Sequence, residues 1–174
     1  MGFLPGQYVN ITVPGTGSQR SYSFSSKAGA QDASFLIRNI PGGTMSSYLS
    51  KGSAGDTVSL TGPMGAFYLR PIERQQLWLA GGTGLAPFLS MLEQLAERGT
   101  EHDITLYYAV TNAADLVELE RVEALAAVIG RVSVMTILAS EDDTHPRKGF
   151  VTDHVTAQDL NDGAVDVYLC GPPP

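Results

Sequence analysis

The sequence is poor in cysteine, histidine, basic charge and long apolar runs, and each shortage removes a class of function. A single cysteine, Cys170, gives no disulfide framework, no cysteine-ligated iron–sulfur cluster and no zinc ribbon within this chain. The three histidines, His102, His145 and His154, have no metal-ligand spacing, so no metal site is expected. Lys and Arg number 11 against 18 Asp and Glu, for a net charge of −7. That balance argues against a nucleic-acid partner, because phosphate binding needs a basic surface. It suits solubility, and docking against a basic patch on another protein. No apolar run is long enough for a membrane span and no signal-peptide pattern opens the chain, so no membrane partner and a cytoplasmic location are expected. Met1-Gly2 does not read as a myristoylation site, since Gly6 stands where Ser or Thr is wanted. With neither a nucleophile elbow nor a nearby His/Asp pairing, a hydrolase is disfavoured.

What is present is enough for a core. The chain has 174 residues, 43% of them apolar and 17% charged, which allows one large domain or two small ones. Its rhythm changes partway. Residues 1–72 read as β, with runs at Tyr8–Val13, Ser21–Ser25, Phe35–Ile40 and Val58–Leu60, and a short one at Phe67–Leu69. Pro14-Gly15, Pro41-Gly42-Gly43 and Gly62-Pro63 stop three of them. Short strands with such turns suggest an antiparallel barrel or sandwich. Residues 73–174 alternate strand and helix. The strands are Leu77–Ala80, Ile104–Val110, Val132–Leu138 and Val165–Cys170. Leu85, Phe88, Leu89, Leu92 and Leu95 share one helical face ended by Gly99, and Leu116 to Ala126 repeat at helical spacing before Gly130. This alternation predicts a parallel sheet with right-handed crossovers.

Four motifs carry chemistry. In Arg20-Ser21-Tyr22-Ser23, strand alternation puts Arg20 and Tyr22 on one side. An arginine clamps phosphate and a tyrosine ring stacks on a planar heterocycle, although an ordinary edge strand has the same pattern. Gly42-Gly43-Thr44-Met45-Ser46 reads as a turn opening a short helix, with Ser46 as N-cap and free N–H groups suited to a second phosphate. A capped surface helix reads the same way. Gly81-Gly82-Thr83-Gly84 joins a buried strand to a helix, with Pro87 in the first helical turn. It is neither G-x-G-x-x-G nor a P-loop, and such a turn also occurs without a ligand. Cys170-Gly171-Pro172-Pro173 follows the last strand. A buried strand cysteine is the plainer reading of Cys170.

Taken in order, these motifs together with Gly6-Gln7-Tyr8-Val9 resemble the ferredoxin–NADP reductase superfamily, and more closely the reductase components of benzoate-type ring-hydroxylating dioxygenases. The resemblance covers nearly the whole chain. It implies a two-domain fold: an antiparallel flavin-binding β-barrel over 1–72, incomplete at its N-terminus, then an α/β nucleotide-binding domain over 73–174, truncated at its C-terminus. It implies that Arg20 binds the FAD pyrophosphate, Tyr22 stacks on the isoalloxazine and Ser23 bonds near flavin N5. Ile37 and Arg38 line the flavin site, and Gly43, Thr44, Met45 and Ser46 cradle the FAD phosphates. Gly82, Thr83, Gly84 and Pro87 carry the nicotinamide nucleotide, with Cys170 and Gly171 beside its reactive ring, so that Ser23 and Cys170 are the expected catalytic pair. Hydride transfer needs no acid–base dyad, only close alignment in a dry slot.

NADPH-specific relatives place arginine and serine after the second and third strands. Here those places read Thr111-Asn112-Ala113 and Ala139-Ser140-Glu141. Thr111 and an acidic Glu141 near a ribose predict NADH over NADPH, since a carboxylate repels a 2′-phosphate. The implied activity is an FAD-dependent NADH oxidoreductase that passes single electrons to a [2Fe–2S] ferredoxin domain or protein and, through it, to the terminal oxygenase of an aromatic-ring dioxygenase. Two alternatives are a free-flavin reductase and a non-catalytic, truncated nucleotide-binding module. Arg20 and Gly43–Ser46 favour bound FAD over the first. Family members carry further strands before the position of Gly6, a helix and tail after Pro174, and in the dioxygenase reductases a plant-type ferredoxin domain. The chain is therefore expected to be a piece of something larger, with open sheet edges.

Overall fold

The computed structural model describes residues 2–140 and 144–172. Its first part is a three-stranded antiparallel sheet of β1 (Tyr8–Thr12), β2 (Gln19–Ser23) and β3 (Ser59–Met64), in the order β2-β1-β3. Alternation along β1 buries Val9 and Ile11 and leaves Tyr8, Asn10 and Thr12 partly covered. The turn between β1 and β2 closes where Val13 N donates to Ser18 O at 2.9 Å and Thr16 Oγ1 donates to Val13 O at 3.0 Å. A short helix, α1 (Thr44–Leu49), lies between β2 and β3 and buries Met45. Val9, Ile11, Val13, Phe24 and Met45 form the small core beneath this sheet.

Two expected strands do not form. Phe35–Ile40 keeps only an isolated antiparallel bridge from Phe35 to Phe24. Its alternation is real but serves two cores: Phe35 and Ile37 pack into the small core, while Leu36 packs against the other half of the molecule. Phe67–Leu69 likewise has no ladder. Phe67 and Leu69 pack on that same larger core, and Leu69 N donates to Pro5 O at 3.0 Å. The third true strand, β3, runs past the expected stop at Gly62-Pro63 to Met64. Among the described residues this half is thus a three-stranded antiparallel sheet, in keeping with a barrel incomplete at its N-terminus.

The second part is a four-stranded parallel sheet, order β6-β5-β4-β7, made of β4 (Gln75–Gly81), β5 (Ile104–Val110), β6 (Val132–Leu138) and β7 (Val165–Cys170). β4 is apolar without alternation because both its faces are covered. Trp78 and Ala80 face the core shared with α2 (Leu85–Arg98) and α3 (Leu119–Ile129), while Leu77 and Leu79 join Tyr107 and Ile137 on the other side. Gly99 (φ +71°) and Gly130 (φ +73°) end the two helices. A four-residue helix, α4 (Ala157–Leu160), precedes β7. No helix among the described residues is long and apolar enough to cross a membrane.

The halves are packed together. Leu36, Phe67, Leu69 and Ile72 lie against the large core. Lys27 pairs with Glu97 of α2, and Arg121 of α3 reaches Ser25.

Candidate functional site

The carboxyl edge of the parallel sheet gathers the second set of expected residues. β4 ends at Gly81, residues Gly82–Gly84 make one tight turn, and α2 starts at Leu85 with no side chain capping its first N–H groups. The turn Gly82–Gly84 runs directly into α2, with Leu85 N donating to Gly82 O and Thr83 O, so the first backbone N–H groups of this joined turn, with the helix dipole, favour an anion there. Pro87 is buried in the first turn of α2, where its missing N–H is harmless. β7 pairs with β4 so that Cys170 lies beside Ala80.

The two glycine motifs therefore touch. A Cβ built on Gly84 would sit 2.2 Å from Cys170 O, and one on Gly171 would sit 3.0 Å from Gly81 Cα. Gly84 is glycine because backbone lies against it. Gly82 differs: its φ is +52° and no described residue lies within 4 Å of where its Cβ would be. Together with the uncapped helix, that open side fits the pyrophosphate of a nicotinamide nucleotide. Thr83 is exposed beside it.

Thr111 continues β5, and Ser140 N donates to Thr111 O at 2.9 Å, so the chain ends of β5 and β6 run on side by side. The Asp115 carboxylate accepts from Asn112 N at 3.1 Å and from Asn112 Nδ2 at 3.2 Å. The hydroxyl of buried Tyr108 donates to Asp115 O at 3.2 Å and Val117 O at 3.4 Å, and burial pushes its ionisation from 10.0 up to about 12. Asp115 and Tyr108 were not singled out by the sequence. Glu141 and Pro173 lie outside the described residues.

Cys170 is half-buried against the large core. Burial raises its thiol above the ordinary value of 9.0, which keeps it protonated at neutral pH and unsuited to nucleophilic work.

The first set gathers on the antiparallel sheet. Register pairs Tyr22 with Val9 and Arg20 with Ile11, so both side chains share the face of the small core. Tyr22, Ile37 and buried Met45 belong to one apolar cluster. The Tyr22 phenol is raised by burial and drawn back by nearby Arg20. Arg20 is exposed and its Nη1 donates to Gln19 O at 2.8 Å. Ser23 is half-buried, and its hydroxyl makes no hydrogen bond among the described residues. An aromatic face, an exposed guanidinium and an unengaged hydroxyl on one short strand fit a flavin nucleotide. Arg38 is exposed and bonds to none of these residues.

Ser46 is not the N-cap of α1. The helix starts at Thr44, Gly43 occupies the cap, and Ser46 Oγ instead accepts from Ile40 N at 2.8 Å, closing the turn that enters the helix. Thr44 is exposed at the first helical position, while the Met45 side chain belongs to the core, leaving only its backbone for a ligand.

Two hollows of about 700 and 600 Å³ lie elsewhere, one lined by Tyr107, Arg131 and Asp159 and the other by Phe67, Arg70 and Tyr168. The larger opens at the amino ends of the strands, whereas parallel sheets bind ligands at the carboxyl ends, and neither is lined by a residue that the sequence singled out.

Residues 78–174 match the oxidoreductase NAD-binding domain and residues 1–68 the oxidoreductase FAD-binding domain. The chain is 56% identical to the toluate 1,2-dioxygenase electron transfer component of Pseudomonas putida, over 100% of this chain and 52% of that protein. It is 45% identical to the 2-halobenzoate 1,2-dioxygenase electron transfer component of Burkholderia cepacia, over 99% of this chain and 52% of that protein. It thus spans about half the length of the curated relatives it matches. Among solved structures, an Amycolatopsis cytochrome P450 reductase superposes with a TM-score of 0.85 at 34% identity, covering 99% of this chain and 54% of that one. A mutant ferredoxin-NADP+ reductase from Plasmodium falciparum has the same fold, with a TM-score of 0.83 at 23% identity over 97% of this chain and 72% of that one.

Proposed function

Since the chain belongs to the FAD- and NAD-binding oxidoreductases, with the two-part fold of ferredoxin–NADP reductases, we propose that it is the flavin and nicotinamide module of an electron-transfer component. It draws electrons from NADH and passes them singly to a [2Fe–2S] ferredoxin domain or protein, which serves a terminal oxygenase acting on an aromatic ring. Residues 1–72 form the FAD unit and residues 73–174 the nucleotide unit, and the module works in the cytoplasm. The electron transfer components of toluate and 2-halobenzoate dioxygenases, to which this chain is similar throughout, support this reading. The observation that carries it is the seat made by Gly81–Gly84 against Cys170–Gly171, which puts an open glycine and an uncapped helix at the carboxyl edge of the sheet.

Bound FAD supplies two-electron acceptance and one-electron release. The chain supplies position and shielding. Arg20 holds the FAD pyrophosphate, Tyr22 covers one ring face, and Gly43 to Ser46 offer backbone donors to phosphate. The free Ser23 hydroxyl orients the reactive edge of the ring. On the other side Gly82, Thr83, Gly84 and Pro87 carry the nucleotide, and Cys170 and Gly171 close the slot beside the nicotinamide. A protonated Cys170 thiol adds no charge there.

NADH is preferred over NADPH. Thr111–Ala113 and Ala139–Ser140 carry no cation, and the Asp115 carboxylate held against Asn112 disfavours a 2′-phosphate nearby.

An anaerobic visible spectrum of the purified chain with FAD, before and after reduced nucleotide, tests the proposal. Flavin bands that bleach with NADH support it, and kcat/KM at least about tenfold higher for NADH than NADPH supports the preference. Flavin that is not retained, or stays oxidised, overturns the reading for this chain. Equal values for the two nucleotides overturn the preference alone.

A further inference from the structure

Arg121 stands near the start of α3, within the nucleotide-binding half, yet its guanidinium bonds to both halves. Nη2 donates to Ser25 O at 2.9 Å and to Glu93 Oε1 at 2.9 Å, Nε donates to Glu93 Oε1 at 3.2 Å, and Nη1 donates to Glu118 Oε2 at 3.1 Å. Glu93 belongs to α2 and Glu118 precedes α3, so one side chain ties both helices to the segment after β2. Burial disfavours the charge, but the bonds to Glu93 and Glu118 outweigh it and hold the guanidinium ionised. The acceptor on the other side is well fixed. Ser25 is 1% exposed and its N donates to Ser34 O at 2.8 Å. Ser25 lies two residues beyond Ser23, and Phe24 between them is fully buried. A rigid, short stretch of backbone therefore connects the Arg121 fork to Tyr22 and Ser23.

We propose that Arg121 is a positioning residue that fixes the end of β2 against α2 and α3, and so sets the alignment of Ser23 with the Gly84–Cys170 seat. The inference rests on the function proposed above. Alignment of donor and acceptor dominates such a transfer, and an error of about 1 Å costs on the order of a hundredfold in rate. The fork geometry is what matters. A lysine keeps the charge but cannot donate at once to a carbonyl and two carboxylates in one plane. The neighbouring Lys27–Glu97 pair is a different case, since both side chains are substantially exposed and such pairs contribute little.

The test compares R121K, R121A and K27M with the wild-type chain, with and without FAD. Without FAD, hydrogen exchange of residues 20–26 is expected to rise at least about tenfold in R121K while α2 and the parallel strands keep their protection. With FAD, single-turnover reduction by NADH is expected to slow at least about tenfold in R121K, with FAD Kd and NADH KM within about threefold and the long-wavelength charge-transfer absorbance weakened. K27M is expected to match wild type. Should R121A fail to fold, R121K carries the test. Wild-type exchange and reduction in R121K overturn the proposal, as does a rate loss matched by equal loss of both affinities, or a K27M variant as slow as R121K. A wild-type chain that NADH does not reduce defeats the function proposed above instead, and the exchange result still decides the clamp.

Discussion

A serine hydroxyl with no hydrogen-bond partner among the described residues sits at the end of β2, one residue past a tyrosine set into an apolar cluster. Hydroxyls left unengaged in half-buried positions are the ones available to a ligand. Ser23→Ala should therefore slow flavin reduction by about tenfold or more while leaving FAD bound. Stopped-flow reduction and equilibrium dialysis check it, and lost FAD with an unchanged rate would contradict the assigned role. The strand that carries Arg20, Tyr22 and Ser23, and the side shared by Arg20 and Tyr22, were legible because strand alternation fixes both. Ser46 was misread because a cap is defined by where the helix begins, and this helix begins two residues earlier, at Thr44. Arg121 was not legible. In sequence it is one more charge on an amphipathic helix, and its decisive partner, Ser25, lies 96 residues away.

Between elements, the seat formed by two glycine motifs separates packing from binding. Gly84→Ala drives a Cβ to 2.2 Å from a backbone oxygen that cannot swing aside, so the turn and the end of β7 must both shift. Its expected effect is a lower Tm and loss of nucleotide binding. Gly82→Ala has open space and costs about 1 kcal/mol from its positive φ, so it should weaken nucleotide binding far more than stability. Thermal melts and nucleotide titrations of the two variants check this, and equal behaviour would refute the distinction. Ile104–Val110, Val132–Leu138 and Val165–Cys170 form strands as read from the sequence: β5 is an apolar run because both its faces are covered, whereas β7, at the sheet edge, leaves Val167 and Leu169 exposed. Phe35–Ile40 was read as a strand because its side chains do alternate. The partner for each face is a different core, which no local pattern records.

For the molecule as a whole, alkaline pH is the revealing condition. Burial raises the phenols of Tyr22, Tyr107 and Tyr108 and the thiol of Cys170, Tyr108 reaching about 12. The native chain holds these protons where the unfolded chain releases them. Their contribution to stability is complete below the unfolded values, 9.0 for the thiol and 10.0 for the phenols, and is lost as pH rises toward the native ones. The denaturation midpoint should hold near pH 8 and fall above about pH 10. Tyr108→Phe should flatten that fall between about pH 10 and 12, and an unchanged slope would show that Tyr108 titrates as it does unfolded.

The pairing of β7 with β4 also bears on how the protein is made. Residues 75–81 leave the ribosome roughly ninety residues before residues 165–170, on the order of ten seconds at ordinary rates of synthesis. Through that interval the nascent sheet can hold only β4, β5 and β6, with one side of β4 unpaired and the apolar faces of Leu77 and Trp78 only part-covered. Gly84 meanwhile has no carbonyl to rest on. The seat of the two glycine motifs forms only once β7 has emerged, and until then the growing chain presents a sticky edge of the kind that chaperones bind.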